Sequence, residues 1–263
     1  MQLIRVRSTS VQFVAALMAS VLHCLVPGCV YMEQSDIAAT TTGRNALFIV
    51  DNPHTLNTSD AMVRTRLATR LGFSVTLVDD DNVSAYNAAG FDVMIVSKTV
   101  TSTKVGSRYK QCSCGFLTWE DNLQRSQMMA LIDNDGSTGT AWHGTGTTVY
   151  VVPAADTFLS AGASGNTVFY TQTGEITYAP KGHLAEDAQT IAQWSSHDGR
   201  TPYYVYEKGA RIADGSTAAG RRVYFGLYDD TFRYLTADGL KLFDAAVLWA
   251  ADVAGRRRGN AET

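Results

Sequence analysis

The sequence predicts an α/β fold of the flavodoxin-like, three-layer kind, with helices on both faces of a mostly parallel sheet. From residue 46 onward, short apolar runs alternate with segments of helical period, which is the pattern of such a sheet. The first run, ALFIV, is continuously apolar, as expected for a strand buried on both faces. The closing segment, 236–253, has the amphipathic pattern of a helix that packs on a sheet.

Strands and helices are expected to alternate through the first half of the domain. The predicted strands cover 46–50, 73–78, 91–96 and 114–119. Ser59 or Asp60 can cap a helix that runs to Leu71, where Gly72 ends it. A short helix or turn is expected up to residue 89, and helices are expected over 104–110 and 123–132.

The second half predicts a β-rich insertion before the last strand and helix. Residues 133–148 are rich in Gly and Thr, which favours a long loop. Gly174 is expected to turn a hairpin between strands at 168–171 and 175–178. The other predicted strands are 149–152, 191–194 and 203–207, followed by the buried final strand 222–227.

The first 28 residues have the layout of an export signal rather than of a folded element. Arg5 and Arg7 precede an apolar run that is short for a bilayer span and ends at Gly28-Cys29. A small residue directly before a Cys resembles the lipobox of bacterial lipoproteins and implies lipid attachment at Cys29. Ordinary secretory cleavage is the alternative, and both predict an exported bacterial protein, either an envelope lipoprotein or a secreted one.

The rest of the chain is expected to form one domain. Residues 29–44 have few apolar side chains and a Thr cluster, which predicts a flexible tether. The α/β domain is expected over 45–255, and 256–263 form a polar tail. Removal of the signal takes away two arginines and no acid, so the formal charge moves from −3 to −5. An acidic chain without a cationic face argues against nucleic acid as a partner.

Two cysteines remain outside the signal, Cys112 and Cys114. A disulfide between residues two apart is strained, so both are interpreted first as small residues at a strand edge. A strained redox pair or an intermolecular bridge is the lesser alternative. Two thiols without a further Cys-x-x-Cys make a weak metal site, and the sequence predicts no metal and no cofactor.

Five segments together resemble the class I glutamine-amidotransferase-like superfamily. They are ALFIVDN, FSVTLVDD, FDVMIVSKTV, FLTWEDNL and the closing GRRVYFGLYDDTFRYLTADGLKLFDAAVLWAA. Within that superfamily they look most like the trehalose-utilisation-protein-like (ThuA-like) domains of secreted bacterial proteins. The resemblance covers about residues 45–254 and rests on strand order and spacing, so it implies a fold rather than a function.

The residues of an amidotransferase are missing from their expected places. That chemistry needs a Cys on a tight strand-to-helix turn, with Gly on both sides, and a downstream His-x-Glu. Here Cys112 precedes the fourth predicted strand and Cys114 is its first residue, so neither follows the strand, and no His-x-Glu follows Val152. The sequence therefore predicts no amidotransferase triad and favours a protein that is not an enzyme.

The carboxyl ends of the predicted strands are the expected ligand site, because ligands bind there in open α/β sheets. The candidate ligand-binding residues are Asn52, Ser97, Trp119, Glu120, Asp229 and Asp230. Acids and amides can bind sugar hydroxyls, and Trp119, Trp142 or Tyr228 can stack on a sugar ring. The alternative is that the polar residues are helix caps and turn formers. The scattered histidines indicate neither a zinc site nor a general base.

Three hypotheses about function follow. The first is a non-catalytic, envelope-tethered module that binds carbohydrate or a protein partner at the strand ends. The second is an enzyme of sugar metabolism or glycan turnover, which needs a buried acid or His with a shifted pKa. The third is a subunit-interface domain, which needs a sizeable exposed apolar patch.

Overall fold

The computed structural model of the chain describes residues 43–136 and 142–253. Their strands form one nine-stranded sheet and one two-stranded sheet. The strands are β1 (Asn45–Val50), β2 (Ser74–Asp79), β3 (Val93–Val96), β4 (Gly115–Thr118), β5 (His143–Gly146), β6 (Thr148–Val151), β7 (Gly165–Val168), β8 (Gly174–Thr177), β9 (Gln189–Gln193), β10 (Tyr203–Tyr206) and β11 (Arg222–Phe225).

The large sheet is parallel in one half and antiparallel in the other. Its order is β2-β1-β3-β4-β11-β10-β9-β6-β7, and the pairs from β2 to β11 are parallel. The pairs from β11 to β7 are antiparallel. The predicted mixed α/β class is confirmed, but the prediction of a mostly parallel sheet is wrong. The insertion is joined to the parallel half, because its strand β10 pairs with β11 and satisfies the backbone groups that β11 would otherwise expose at an edge.

Strand β1 separates two hydrophobic clusters. Its side chains alternate, so Phe48 and Val50 belong to one cluster while Leu47 and Ile49 belong to the other. All of β1 after Asn45 is buried, as its unbroken apolar sequence predicts. Both faces of the sheet are therefore covered.

Few helices cover the sheet. They are α1 (Thr58–Thr65), which continues as a π-helical turn (Arg66–Arg70), α2 (Ser102–Val105), α3 (Ala237–Ala250), and 3₁₀ turns at Asp80–Ala85 and Phe232–Tyr234. The predicted closing helix is confirmed as α3, with Thr236 as its N-cap. The N-cap of α1 is Asn57, whose side chain accepts from the Asp60 N–H, so the prediction of Ser59 or Asp60 as the cap is wrong. Both of those residues are buried in the first helical turn.

Two predicted helices are absent or shorter than expected. Residues 123–132 form consecutive turns, because buried Gln124 bonds to Tyr178 and Tyr204 and thereby ties the segment to the insertion. Ala130 also has a positive φ of 51°, which a helix does not allow. In place of the helix expected over 104–110 stands the short α2, which ends at Val105 with Gly106 as its C-cap.

The hairpin expected around Gly174 does not form. Strand β7 lies earlier in the chain than predicted and pairs with β6, whereas β8 pairs with β5 in the small sheet. Strand β5 falls within the predicted 133–148 loop, of which 137–141 lie outside the described residues. A Gly- and Thr-rich strand carries no apolar alternation, so its sequence resembles a loop.

Arg44, near the start of the described residues, is packed into the domain. Its guanidinium donates to the Ala251 carbonyl oxygen at 2.5 Å and pairs with Asp92. The predicted tether, 29–44, otherwise lies outside the described residues except for Gly43. The predicted signal (1–28), Cys29 and the polar tail (256–263) lie outside the described residues. Among the helices of the described residues, none is long and apolar enough to cross a membrane.

Candidate functional site

Polar side chains from four strand ends meet at one edge of the large sheet. The loop after β1 contacts the loop after β3, where the Asp51 N–H donates to Thr99 Oγ1 at 3.3 Å. The loop after β3 contacts the loop after β4 through Lys98 and Glu120. We name this surface the strand-end rim; it consists of Asp51, Asp60, Ser97, Lys98, Thr99, Glu120, Asp121, Tyr228, Asp229 and Asp230.

The centre of the strand-end rim is an ion-pair cluster. The Lys98 ammonium lies 2.9 Å from Glu120 Oε2 and 2.6 Å from Asp121 Oδ1. Burial lowers the pKa of Lys98, but the two carboxylates outweigh it and hold that pKa above its ordinary value. Burial raises the pKa of Glu120 to about 7, against the opposing effect of Lys98. Because Glu120 is 2% exposed, it depends on this lysine to balance its charge.

Asp60 forms a second buried acid site beside the cluster. Its carboxylate accepts from Ser97 Oγ at 2.7 Å and from Thr99 Oγ1 at 3.0 Å. Burial raises the pKa of Asp60 to about 6, the two hydroxyl donors oppose that rise, and the nearby charges of Asp229 and Asp230 add to it. A carboxyl group of this kind can exchange a proton near neutral pH.

The Tyr228 ring lies close to a lysine and a histidine. The Lys98 ammonium is 5.4 Å from the ring centroid, and the His143 ring is 5.2 Å away, tilted by 34°. His143 Nδ1 in turn lies 2.8 Å from Glu175 Oε1. Burial and the charges of Glu175, Asp229 and Asp121 raise the pKa of Tyr228, while Lys98 opposes them. The phenol thus stays neutral and can donate a hydrogen bond.

Asp229 and Asp230 are joined to the start of α1. Asn57 Nδ2 donates to the Asp229 carbonyl oxygen at 2.9 Å, and Ser59 Oγ donates to Asp230 Oδ1 at 3.2 Å. The Asp229 side chain is exposed, and burial together with the nearby carboxylates raises its pKa against the effect of Lys98. Asp229 therefore offers an exposed carboxyl group directly after Tyr228 in the chain.

The structure brings four of the six predicted ligand-binding residues into the rim. Ser97, Glu120, Asp229 and Asp230 are connected by the contacts described above. Asn52 is exposed after β1, but its side chain accepts from the His54 N–H at 2.9 Å and so acts as a turn former.

Trp119 does not belong to the rim. The Trp119 ring packs in the core against Phe48 and Phe243 and is 2% exposed, so it offers no stacking face. Of the other aromatic candidates, Trp142 is also buried, under the Arg125 guanidinium. Tyr228 is the aromatic candidate that reaches the strand-end rim.

Sequence reasoning missed three contributors to the site. Asp60 was interpreted as a helix cap, yet its place in the first turn of the helix after β1 directs it toward the strand ends. His143 and Glu175 come from the β5–β8 sheet, where they face each other across the pairs His143–Thr177 and Thr145–Glu175. No local signal in the sequence reveals that pairing.

One group of acids in the described residues has the spacing of metal ligands. Carboxylate oxygens of Asp79, Asp80 and Asp81 lie within 4.8 Å of one another. The Lys104 ammonium lies 2.7 Å from Asp80 and 2.7 Å from Asp81, so a cation of the protein already balances this group.

The two thiols lie far from the rim along β4. Cys112 and Cys114 precede Gly115, which begins β4, whereas Glu120 follows Thr118, which ends it. The amidotransferase arrangement, with its thiol at a carboxyl strand end, is thus not formed by these cysteines.

The described residues form a mixed α/β domain with an acidic, partly aromatic surface at its carboxyl strand ends. No protein-family model matches the chain, and no curated protein matches it either.

Proposed function

We propose that the protein is a non-catalytic binding module that takes carbohydrate at the strand-end rim. The observation that carries the proposal is the Tyr228 ring, which lies 5.4 Å from the Lys98 ammonium that pairs with Glu120 and Asp121, and 5.2 Å from the His143 ring that pairs with Glu175. Carboxylates accept hydrogen bonds from sugar hydroxyls, and an aromatic ring packs against the apolar face of a sugar. Both kinds of group stand side by side here.

A protein partner at the rim is the alternative within the same proposal. Protein interfaces have an apolar centre with aromatic anchors. The large apolar side chains exposed in the described residues are Met62 and Val168, on α1 and β7, and neither belongs to the rim. The polar character of the rim favours carbohydrate. The same surface gives no support to a subunit-interface domain, which needs a larger apolar patch.

A glycan-array screen of the full protein, followed by calorimetry on the best glycan, tests the proposal. Tyr228→Ala and Asp229→Asn are expected to weaken binding by about tenfold or more each, since loss of one aromatic or charged contact costs about 1.4 kcal/mol or more. Asp238→Asn, an exposed acid at the start of α3, is the matched control and should leave binding unchanged. Equal affinity in all three variants would remove the rim as the site.

An enzyme of sugar metabolism or glycan turnover is the second candidate. Buried Asp60 and Glu120, whose pKa values rise to about 6 and about 7, are the observation that favours it. Incubation with the bound glycan, followed by product analysis, separates the two candidates. An enzyme releases product, and Asp60→Asn should stop release without loss of binding. A binding module leaves the glycan intact.

We also propose a flavodoxin-like, three-layer core and membership of the class I glutamine-amidotransferase-like superfamily, near the ThuA-like domains. The order β2-β1-β3-β4-β11 supports this, because it is the doubly wound order of flavodoxin-like sheets. The hydrophobic clusters on both faces of β1 support it as well.

Export and lipid attachment at Cys29 remain proposals that rest on the amino-terminal sequence. Expressed in a bacterium, the protein should incorporate a labelled fatty acid and fractionate with membranes. Cys29→Ser should abolish both, because the thiol is the attachment atom. An unchanged membrane fraction in that variant would contradict the lipid anchor.

A further inference from the structure

At the amino end of β4, a buried arginine lies beside two free thiols. Arg222 is 1% exposed, and Cys112 and Cys114 are both buried and unbridged. The Cys112 thiol lies 3.6 Å from the Cys114 carbonyl oxygen, so both cysteines belong to one tight turn. This group lies outside the strand-end rim and has no part in the function proposed above.

The Arg222 guanidinium is held by neutral groups. Its two terminal nitrogens donate to the carbonyl oxygens of Lys110 (3.0 Å), Arg221 (3.0 Å), Cys112 (2.6 Å) and Cys114 (3.1 Å). Its Nε has no hydrogen-bond partner, and no carboxylate of the described residues forms an ion pair with Arg222. A buried cation without a carboxylate is costly and favours an anion nearby.

A thiolate is the anion that the neighbouring side chains can supply. The hydrogen bond from the Cys114 thiol and the charge of Arg222 lower the pKa of Cys112 to about 7, while burial opposes them. The same thiol–thiol hydrogen bond, together with burial, raises the pKa of Cys114. Cys112 Sγ and Arg222 Nη1 both contact the Cys114 carbonyl oxygen, at 3.6 Å and 3.1 Å, so Cys112 lies next to the arginine and is the cysteine to which we assign the thiolate.

Small molecules can approach this turn from solvent on the side of Ser113 and Cys114. Cys114 lines a groove of about 470 Å³, whose wall also includes Ser113, Glu207, Gly220 and Arg221. Ser113, between the two cysteines, is exposed. The hydrogen bonds that Arg222 donates to the carbonyl oxygens of Cys112 and Cys114 fix the backbone on both sides of Ser113.

We propose that Cys112 and Cys114 form a thiol–disulfide exchange site, with Cys112 as the attacking thiolate, Cys114 as the resolving thiol and small disulfides as substrates. The Cys112 thiolate attacks one sulfur of the disulfide, whose S–S bond breaks and releases one thiolate. Cys114 then gives its proton to that thiolate and attacks Cys112 Sγ. This attack breaks the mixed disulfide between Cys112 and the substrate and releases the second substrate thiolate. Two electrons pass from the protein dithiol to the substrate, which leaves as two thiols once solvent protonates the second. The resulting bridge between residues two apart is strained, and strained disulfides are labile and more oxidising.

To test the proposal, the full chain carrying Cys24→Ser and Cys29→Ser is reacted with glutathione disulfide and its mass is measured by mass spectrometry. In that background Cys112 and Cys114 are the remaining thiols. The protein is expected to lose two hydrogen atoms and to retain no glutathione. With Cys114→Ser added it should retain one glutathione, because the resolving thiol is gone. With Cys112→Ser added it should react at least about fivefold more slowly, since each pKa unit changes the thiolate fraction about tenfold while nucleophilicity falls partly in parallel.

The unfolded chain is the control, because in denaturant the two single-cysteine variants should react at equal rates. Circular dichroism verifies that each variant is folded, and an alanine replaces any serine that unfolds the chain. Equal rates of the two variants in the folded state would overturn the proposal. So would glutathione retained on the two-thiol protein, a bridge between two chains, or reaction that requires denaturant.

Discussion

A carboxyl group buried among hydroxyls, such as Asp60, couples the stability of the fold to pH. Its pKa rises from 3.8 to about 6 on folding, with burial as the largest cause. The folded state therefore binds a proton more tightly than the unfolded state between these values. The stability that this group contributes is fully present below about pH 4 and is lost as the pH rises through about 6.

Asp60→Asn removes this dependence. Between pH 4 and pH 7, the free energy of unfolding of the native protein should fall relative to that of the variant by about 2 kcal/mol, which is most of the energy that corresponds to two pKa units. Urea unfolding at a series of pH values measures the difference. The free energy of unfolding of Asp238→Asn should change with pH as that of the native protein does. If the native protein became more stable relative to Asp60→Asn as the pH rises, the assignment would be contradicted.

Some residues of the candidate site can be predicted from the sequence, and others cannot. Ser97, Glu120 and Asp229 follow strands directly, and the carboxyl ends of parallel strands share an edge, so their convergence is predictable. Trp119 also follows a strand, but its side chain points to the core, because successive residues alternate in direction. His143 and Glu175 depend on which strands pair in the insertion, and that long-range choice leaves no local pattern.

At the scale of elements, β4 and α3 pack so closely that their contact requires a glycine, which has no side chain, at position 115. A Cβ on Gly115 would lie 2.1 Å from the Ala250 carbonyl oxygen, a backbone atom that cannot turn away. The helix therefore rests on the bare backbone of the strand. A buried ion pair adds to the anchoring of this helix, because Asp244 of α3 accepts from the Arg66 guanidinium at 2.7 Å.

Gly115→Ala is expected to destabilise the fold by about 3 kcal/mol, the upper part of the range for overpacking, because the helix must shift as a body. Chemical denaturation monitored by circular dichroism measures the loss. Gly146→Ala is the matched control: its Cβ would lie 3.7 Å from the Trp194 ring, an ordinary contact, and a small change is expected. If Gly115→Ala left the free energy of unfolding unchanged, α3 would not lie as close to β4 as described.

Elements with strong apolar patterns were predictable, whereas those held by single polar contacts were not. Strand β1, strand β11 and helix α3 bury nearly every apolar residue that their sequences offer, so pattern and structure agree. Residues 123–132 contain the apolar spacing of a helix, yet the hydrogen bonds of buried Gln124 hold them in turns. Tertiary contacts of this kind override local preference.

At the scale of the molecule, the sheet belongs to both hydrophobic clusters at once. Phe48 contributes to one cluster and its neighbour Ile49 to the other, with Trp119 on the side of Phe48 and Trp142 on the side of Ile49. Side chains of β1 belong to both clusters, so neither cluster can unfold while the other stays folded. The whole described domain should consequently unfold as one cooperative unit.

Ile49→Ala tests this cooperativity. Removal of a fully buried isoleucine side chain should cost about 3 kcal/mol, through lost burial and the cavity that remains. Although the change lies in one cluster, tryptophan fluorescence and far-ultraviolet circular dichroism should show one shared transition, displaced by the same amount in both signals. A transition that splits into two steps, with one signal retained while the other is lost, would mean that the clusters unfold independently and that β1 does not couple them.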